Sequence, residues 1–339
     1  MVANDLQLLS SNGSTSKVED NHEESIPLID MGLLESGSIE DRQKVIKQIG
    51  DACEEWGFFQ VLNHGMPLDL LNKGFANSHE FFNLPLEEKL KCKHPKGSLP
   101  IPAGFMNDMI SKGVPDAKEM MFIYSETSFG ARFNLWPEKP ANFRDVGSEI
   151  VNAATKTGLH MLGLVSESLG LPNEHLPALA NAKPRSDMFY FLYYPATPDN
   201  PNAVGSTKHT DGNILTILAI DNQMPGLQIW RGEKWLPVTP VKGAIIINVG
   251  DVLQVWSNDK YKSVTHRVVN SPTKPRFSIP LLLGPGHDFV IEPLVEFINE
   301  DHPPAFKPFV YKDYLLARFK NKNNTSKDAP EISIDYCRV

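Results

Sequence analysis

The stretch that decides the fold spans residues 205–278 and contains, in order, His209-Thr210-Asp211, His266 and Arg276-Phe277-Ser278. Residues 202–208 before the first motif are turn-like, whereas residues 214–220 after it have the apolar character of a buried strand. Side chains two residues apart on a strand point to the same face, so His209 and Asp211 can converge on one point. We therefore expect this pair to lie at the mouth of a strand.

His266 lies in a second predicted strand, residues 263–269, which alternates in polarity and is rich in β-branched residues. A barrel that closes on itself can bring this strand beside the first. Two imidazoles and one carboxylate form the facial triad that leaves three positions open on non-haem Fe(II). A single histidine could equally be structural, but the order and spacing of His209, Asp211 and His266 predict one iron site.

Arg276 and Ser278 share one face of a predicted strand that continues into the apolar residues 279–283. A guanidinium group beside a hydroxyl is a good receptor for a carboxylate. A surface ion pair is the common alternative for an arginine, but the apolar neighbours favour a position near the barrel interior. The two side chains therefore predict a site for a small dicarboxylic acid beside the metal.

The order of predicted elements indicates a mainly β fold with flanking helices. Short strands separated by turn signals follow one another from residue 187 to about residue 291, which is typical of a double-stranded β-helix, the jelly-roll or cupin-like core. We expect a flexible tail over residues 1–25 and a mixed helical region over 26–184 that packs on the barrel. The core then covers residues 185–320 with a C-terminal helix, and residues 321–339 form a loose tail.

The composition limits the possible partners. The 339-residue chain has a formal net charge of -8, which argues against a general surface for nucleic acid or acidic membranes. Its three cysteines are widely spaced and indicate reduced thiols in a cytosol-like compartment. No apolar run in the sequence approaches membrane-spanning length. We expect a cytoplasmic monomer that acts on a small molecule, without a nucleic-acid or membrane partner.

Further motifs extend the pattern over most of the chain. They are IPLID (26–30), WGFFQVLNHG (56–65), FFNLP (81–85), EEK (87–89), NVGD (248–251) and WSN (256–258). From residue 26 to about residue 320 the chain resembles the plant 2-oxoglutarate- and Fe(II)-dependent oxygenases. The resemblance implies that His209, Asp211 and His266 bind iron and that Arg276, Ser278 and Tyr194 bind 2-oxoglutarate. Leu192 departs from the family pattern, which has an asparagine there.

The resemblance also implies the chemistry. The cofactor would be Fe(II), with 2-oxoglutarate and O2 as cosubstrates and ascorbate as the reductant, and the coproducts would be succinate and CO2. The expected substrate is a small, largely apolar plant metabolite or hormone, such as a phenylpropanoid, flavonoid, terpenoid or alkaloid. Hydroxylation is the expected outcome, with desaturation, epoxidation and demethylation left open. The side chains implied to face the substrate are Met120, Phe122, Tyr190 and Leu282.

Two other functions are compatible with parts of the pattern. An iron oxidase of the same fold would keep the triad but not use 2-oxoglutarate. A non-catalytic jelly-roll binding protein would keep the metal ligands for stability alone, although the intact Arg276 and Ser278 pair argues against it. Release of succinate and CO2 from 2-oxoglutarate distinguishes the expected enzyme from the oxidase, and a lack of metabolite turnover with Fe(II), ascorbate and 2-oxoglutarate would favour the binding protein.

Overall fold

A computed structural model describes residues 24–95, 103–107, 110–111, 114–125, 132, 134–200, 203–322 and 333–339 of the chain. The strands are β1 (Leu28–Asp30), β2 (Phe58–Leu62), β3 (Gly104–Met106), β4 (Ile110–Ser111), β5 (Val114–Pro115), β6 (Glu119–Tyr124), β7 (Met188–Tyr194), β8 (Val204–His209), β9 (Leu215–Ile220), β10 (Leu227–Arg231), β11 (Lys234–Pro237), β12 (Ile245–Val249), β13 (His266–Val269), β14 (Arg276–Leu283), β15 (Val290–Ile291) and β16 (Phe309–Val310). The helices are α1 (Ile39–Glu55), α2 (Leu68–Phe82), α3 (Leu86–Leu90), α4 (Phe143–Ser168), α5 (His175–Ala180), α6 (Asp251–Trp256) and α7 (Tyr311–Lys322).

Two sheets form the predicted double-stranded β-helix core. The larger sheet has eight strands in the order β1-β2-β12-β9-β14-β7-β6-β3, and the smaller has four in the order β11-β10-β13-β8. Apolar side chains from both sheets form one buried cluster, which includes Phe58 and Leu218 of the larger sheet and Ile229 and Val268 of the smaller. The fold class expected from the sequence is therefore confirmed.

The flanking helices cover the larger sheet. Helix α4 packs on β9 and β14 and also contacts α1, α2 and α5. Ser38 is the N-cap of α1, since its side chain accepts a hydrogen bond from the Asp41 N–H in the first turn. The buried residues Val45 and Ile49 of α1 belong to the main hydrophobic core. None of the described helices has the length and apolar character needed to cross a membrane.

Two elements differ from the sequence expectation. Residues 251–256 form the short helix α6, where the sequence pattern had indicated only strands and turns. The C-terminal residues 333–339 are packed rather than loose: Ile334 and Cys337 are buried, and the Lys307 N–H donates to the Cys337 carbonyl at 2.7 Å. The burial of these two side chains is the physical reason for the difference.

The expected division into parts stays a prediction. Residues 1–23 and 323–332, which include most of the two expected tails, lie outside the described residues. Strands β1, β2, β3 and β6 come from the N-terminal region but belong to the same eight-stranded sheet as the core strands. A boundary near residue 184 would therefore pass through a continuous sheet rather than between two separate cores.

Candidate active site

The three predicted metal ligands meet at the ends of two paired strands. His209 is the last residue of β8, His266 is the first residue of β13, and the two are directly paired across the sheet. Asp211 lies just beyond the end of β8, so the pair lies at the mouth of a strand as expected, although Asp211 itself is outside the strand. Their side chains converge nevertheless: Oδ1 of Asp211 lies 3.7 Å from Nε2 of each histidine. One ligand atom from each residue lies within 4.8 Å of the others.

Hydrogen bonds orient each of these side chains. Nδ1 of His209 lies 2.7 Å from the Thr207 carbonyl, and Nδ1 of His266 lies 3.1 Å from the Val264 carbonyl. A carbonyl partner fixes the proton on Nδ1, which leaves Nε2 of each ring as the atom with a lone pair for a metal. Both imidazoles thus turn Nε2, the atom that can bind a metal, toward Oδ1 of Asp211.

The surroundings of Asp211 stabilise the ionised form of its side chain. Its Oδ2 accepts hydrogen bonds from the Thr216 hydroxyl at 2.6 Å and from the Asn248 amide at 2.9 Å. Burial raises the pKa of the Asp211 carboxyl, but the adjacent His266 and His209 and these two hydrogen bonds outweigh burial and lower it below its usual value. At neutral pH the side chain is therefore a carboxylate, whose Oδ1 faces the imidazoles. Two nitrogens and one carboxylate oxygen fit Fe(II).

Arg276 lies at the start of β14 and is almost completely buried, with 2% of its surface exposed. Its Nη1 donates to the Ser278 hydroxyl at 3.1 Å. Its guanidinium carbon lies 5.2 Å from the centre of the ring of Tyr194, the residue of β7 that pairs with Arg276 in the sheet. Burial lowers the pKa of the guanidinium, an effect that Tyr194 offsets in part. Within the described part of the chain Arg276 has no ion pair, and its buried Nε has no hydrogen-bond partner.

A buried cation without a counter-charge is costly, so this arrangement is suited to an anionic ligand. Arg276 and Ser278 line the same cavity as His209, Asp211 and His266. The residues present therefore fit a carboxylate of 2-oxoglutarate beside the metal site. Leu192, which stands where the family pattern has asparagine, pairs with Ser278 across the sheet and also lines the cavity.

The cavity has a volume of about 630 Å³ and is walled mainly by apolar side chains. All four residues expected to face the substrate line it: Met120, Phe122, Tyr190 and Leu282. The Phe122 and Tyr190 rings stack, with centroids 4.7 Å apart and planes at 16°. The two stacked rings therefore form one aromatic surface on the cavity wall.

Sequence reasoning missed several residues of this site. Met188 lines the cavity two residues before Tyr190 on the same strand, so the period of two along β7 could have identified it. Met106 also lines the cavity, and it is paired with Met120 across β3 and β6. The roles of Thr216 and Asn248 in holding Asp211 depend on contacts between strands, which a linear pattern does not reveal.

Two family descriptions match the chain. Residues 26–139 match the N-terminal domain described as non-haem dioxygenase in morphine synthesis, and residues 185–285 match the 2OG-Fe(II) oxygenase superfamily.

Curated relatives cover most of the chain. Hyoscyamine 6-dioxygenase of Hyoscyamus niger is 35% identical over 88% of this chain and 87% of its own length. Flavonol synthase/flavanone 3-hydroxylase of Matthiola incana is 33% identical over 88% of this chain and 100% of its own length.

Solved structures agree with these relatives. JOX2 in complex with 2OG, Fe and JA matches with a TM-score of 0.80 and 28% identity, over 93% of this chain and 90% of that one. The dioxygenase for auxin oxidation of rice matches with a TM-score of 0.74 and 25% identity, over 93% of this chain and 100% of that one.

The fold and the converging side chains define a non-haem iron oxygenase with a jelly-roll core. The chain belongs to the 2OG-Fe(II) oxygenase superfamily, and its relatives are the plant 2-oxoglutarate-dependent dioxygenases that the sequence motifs resemble. It is a 2-oxoglutarate-dependent dioxygenase, with Fe(II) as cofactor and 2-oxoglutarate as cosubstrate. This membership favours the expected enzyme over a 2-oxoglutarate-independent oxidase or a non-catalytic binding protein.

Proposed function

We propose that His209, Asp211 and His266 bind the Fe(II), that Arg276 and Ser278 bind the distal carboxylate of 2-oxoglutarate, and that Tyr194 also contacts this cosubstrate. The observation that carries this proposal is the buried Arg276 guanidinium, which has no acidic partner among the described residues and lines the cavity of the three converging ligand atoms. An anion that enters the cavity would supply the counter-charge that the described residues do not supply. The known cosubstrate of the superfamily is such an anion.

Each residue then has a defined task. His209 and His266 offer neutral imidazole nitrogens because backbone carbonyls hold their Nδ1 protons, and Asp211 supplies the negative charge that balances the metal. Arg276 and Ser278 hold one end of the cosubstrate by charge-assisted hydrogen bonds. When bound, Fe(II) and 2-oxoglutarate supply the O2-dependent oxidation that releases succinate and CO2. The apolar wall keeps water from the reacting carbon and orients the substrate.

We infer that the substrate is a small, largely apolar metabolite and that the reaction is a hydroxylation. The stacked rings of Phe122 and Tyr190 and the side chains of Met120 and Leu282 support this inference, because they offer apolar and aromatic contact rather than charge. Relatives named for hyoscyamine, flavanone and flavonol chemistry agree with an alkaloid or phenylpropanoid skeleton. Thioether side chains in the wall allow it to fit irregular shapes.

We further propose that the enzyme works as a monomer in the cytoplasm. A single chain supplies every residue of the site, which supports activity without a second copy. All three cysteines are unpaired and buried, which agrees with a reducing compartment.

The test is an assay of the purified protein with Fe(II), ascorbate, O2 and 2-oxoglutarate against a panel of flavanones, tropane alkaloids, terpenoids and jasmonates. We expect one class to raise succinate release well above the level without substrate, and mass spectrometry to show a product that has gained one oxygen atom. A product that has lost two hydrogen atoms would replace hydroxylation with desaturation. If no class of the panel raises succinate release, the proposed substrate classes are overturned.

A further inference from the structure

The C-terminal helix α7 lies beside residues 209–211, here called the metal-ligand segment, as well as beside the cavity. Leu315, Arg318 and Phe319 of this helix all line the cavity. Arg318 is the charged member of the three, and its guanidinium turns toward Thr210, the residue between the proposed ligands His209 and Asp211.

Four hydrogen bonds fix the Arg318 guanidinium. Its Nη2 donates to the Thr210 carbonyl at 2.6 Å, and its Nη1 donates to the Thr210 hydroxyl at 3.0 Å. Nη1 also donates to Oδ2 of Asp251 at 2.6 Å and to the Tyr314 hydroxyl at 2.9 Å. One side chain thus contacts both the backbone and the side chain of Thr210.

Asp251, at the start of α6, adds further hydrogen bonds to those of Arg318. Its backbone N–H donates to the Asp211 carbonyl at 2.7 Å. Its buried Oδ2 accepts from the Thr210 hydroxyl at 3.2 Å and from the Tyr314 hydroxyl at 2.7 Å. The Thr210 carbonyl therefore accepts a hydrogen bond from Arg318 of α7, and the Asp211 carbonyl accepts one from Asp251 of α6.

The metal-ligand segment needs such support because it leaves the sheet. Strand β8 ends at His209, so pairing with β13 does not extend to residues 210 and 211. This segment lacks the hydrogen bonds of a strand ladder, so other contacts must fix its backbone. The orientation of a metal ligand on the segment depends on those contacts. Arg318 and Asp251 supply those contacts.

Arg318 is suited to this task by its charge and shape. Burial lowers the pKa of its guanidinium, but the adjacent Asp251 carboxylate and Tyr314 outweigh burial and raise it above its usual value. The side chain is therefore a cation, and its planar fork reaches the Thr210 carbonyl and the Asp251 carboxylate at once. A lysine ammonium is a compact point charge on a flexible stem and does not match this paired geometry.

We propose that Arg318 is a positioning residue for the metal site, which acts from the C-terminal helix through Thr210 and Asp251 to aim the ligand atoms of His209 and Asp211. The proposal rests on the proposed function, because it assumes that these residues bind the metal. Helix α7 then both forms part of the substrate wall and holds the metal ligands in place.

The test compares Co(II) binding to the full-length protein and to Arg318→Met, Arg318→Lys and Lys320→Met. Co(II) replaces Fe(II) as a probe that does not oxidise readily, and its Kd is measured by calorimetry and by visible absorption. Arg318→Met keeps an unbranched stem but removes the four hydrogen bonds. Lys320→Met is the matched control, since it removes an exposed cation from the same helix.

We expect Arg318→Met to weaken Co(II) binding by about 10- to 100-fold, the range found when an outer partner of a metal ligand is lost. Arg318→Lys should be intermediate, and Lys320→Met should bind like the wild type. The visible spectrum of Co(II)-saturated Arg318→Met should also differ from wild type, because the ligands are aimed differently. A residue that only stabilises the fold would lower the unfolding temperature of the metal-free protein and leave the Kd and the spectrum unchanged.

Unchanged Kd and spectrum in a folded Arg318→Met protein would overturn the proposal. If that variant does not fold, Arg318→Lys decides in the same way: a wild-type Kd and spectrum overturn the proposal, and a weaker Kd supports it. His266→Ala separates this result from a failure of the proposed function. If wild type binds no Co(II), or His266→Ala binds it as tightly, the proposed metal site itself fails.

Discussion

His209 and His266 face each other as a register pair of the antiparallel strands β8 and β13, with ring centroids 4.3 Å apart and planes at 51°. The backbones of the two histidines are therefore neighbours across the sheet, next to a register shift between His266 and Val268. Phe58 packs edge-on against the His266 ring at 5.2 Å. The sheet fixes the two imidazoles, whereas Asp211 approaches them from a segment outside the ladder.

The first prediction concerns His266, which is 7% exposed and contributes one of three converging donor atoms. His266→Ala should abolish Fe(II) binding and turnover, because two remaining ligands do not hold the metal in a facial arrangement. Calorimetric titration with Co(II) and succinate release should both fall to background.

His160, on α4 and outside the cavity lining, gives the matched control for that experiment. His160→Ala should retain metal binding, since it removes an imidazole without touching the site. Tight Co(II) binding by folded His266→Ala protein would contradict the ligand assignment.

The local sequence predicted much of this arrangement. The alternation around residues 263–269 indicated a strand, and His266 does begin one. The argument that placed His209 and Asp211 on one strand face was wrong, because β8 ends at His209. The two side chains still converge, since Oδ1 of Asp211 lies 3.7 Å from Nε2 of His209, and the Asp251 N–H donates to the Asp211 carbonyl.

Other features depended on contacts between distant segments and could not be read from the chain. Helix α6 has only six residues, too few to show a helical period of apolar positions. The contacts of Asn248 with Asp211 and of Arg318 with Thr210 join residues with no common local pattern. The packing of residues 333–339 likewise depends on a partner surface around Ala305 and Lys307.

The second prediction concerns the cosubstrate. Arg276→Ala removes the buried guanidinium, a loss that typically costs about 2–5 kcal/mol for a hydrogen-bonded charge pair. At about 1.4 kcal/mol per tenfold change, KM for 2-oxoglutarate should rise by at least about 20-fold. Steady-state succinate release at varied 2-oxoglutarate measures this change.

Arg276→Lys provides the conservative comparison. It keeps a positive charge but loses the planar fork, so its KM for 2-oxoglutarate should lie between those of wild type and Arg276→Ala. An unchanged KM in Arg276→Ala would show that another group binds the distal carboxylate.

The third prediction concerns the substrate wall. Phe122 is buried and stacks on Tyr190, so Phe122→Ala should remove aromatic contact from the substrate without changing the metal or cosubstrate residues. We expect KM for the substrate found in the panel assay to rise about tenfold, as a loss of roughly 1.4 kcal/mol would give. Succinate release without substrate and KM for 2-oxoglutarate should stay near wild-type values.

Phe105, a buried phenylalanine on β3 outside the cavity lining, gives the comparison for Phe122. Phe105→Leu should lower the unfolding temperature and leave KM for the substrate unchanged. Equal effects of the two changes on KM for the substrate would remove Phe122 from the binding wall.

The fourth prediction concerns stability and pH at the packed C-terminal segment. Both terminal nitrogens of Arg338 donate to the Asp259 carboxylate at 3.2 Å. Burial raises the pKa of Asp259, but Arg338, Gln254 and Lys262 outweigh burial and lower it below its usual value. A lowered folded-state pKa means that ionised Asp259 stabilises the fold above its unfolded pKa, near about 3.9. This contribution is lost as the pH falls through the folded-state pKa.

Arg338→Ala should therefore lower the free energy of unfolding at pH 7 by about 0.2–1 kcal/mol, the range for a pair that solvent screens. The gap between this variant and wild type should narrow as the pH falls below about 4, because Asp259 becomes protonated in both proteins. Urea denaturation at a series of pH values measures the gap, with Lys307→Met as a control that removes a cation from the neighbouring segment. A gap that stays constant or widens toward acid pH would mean that Arg338 stabilises the segment mainly through its contact with the Phe306 ring, 4.8 Å from the guanidinium carbon, rather than through Asp259.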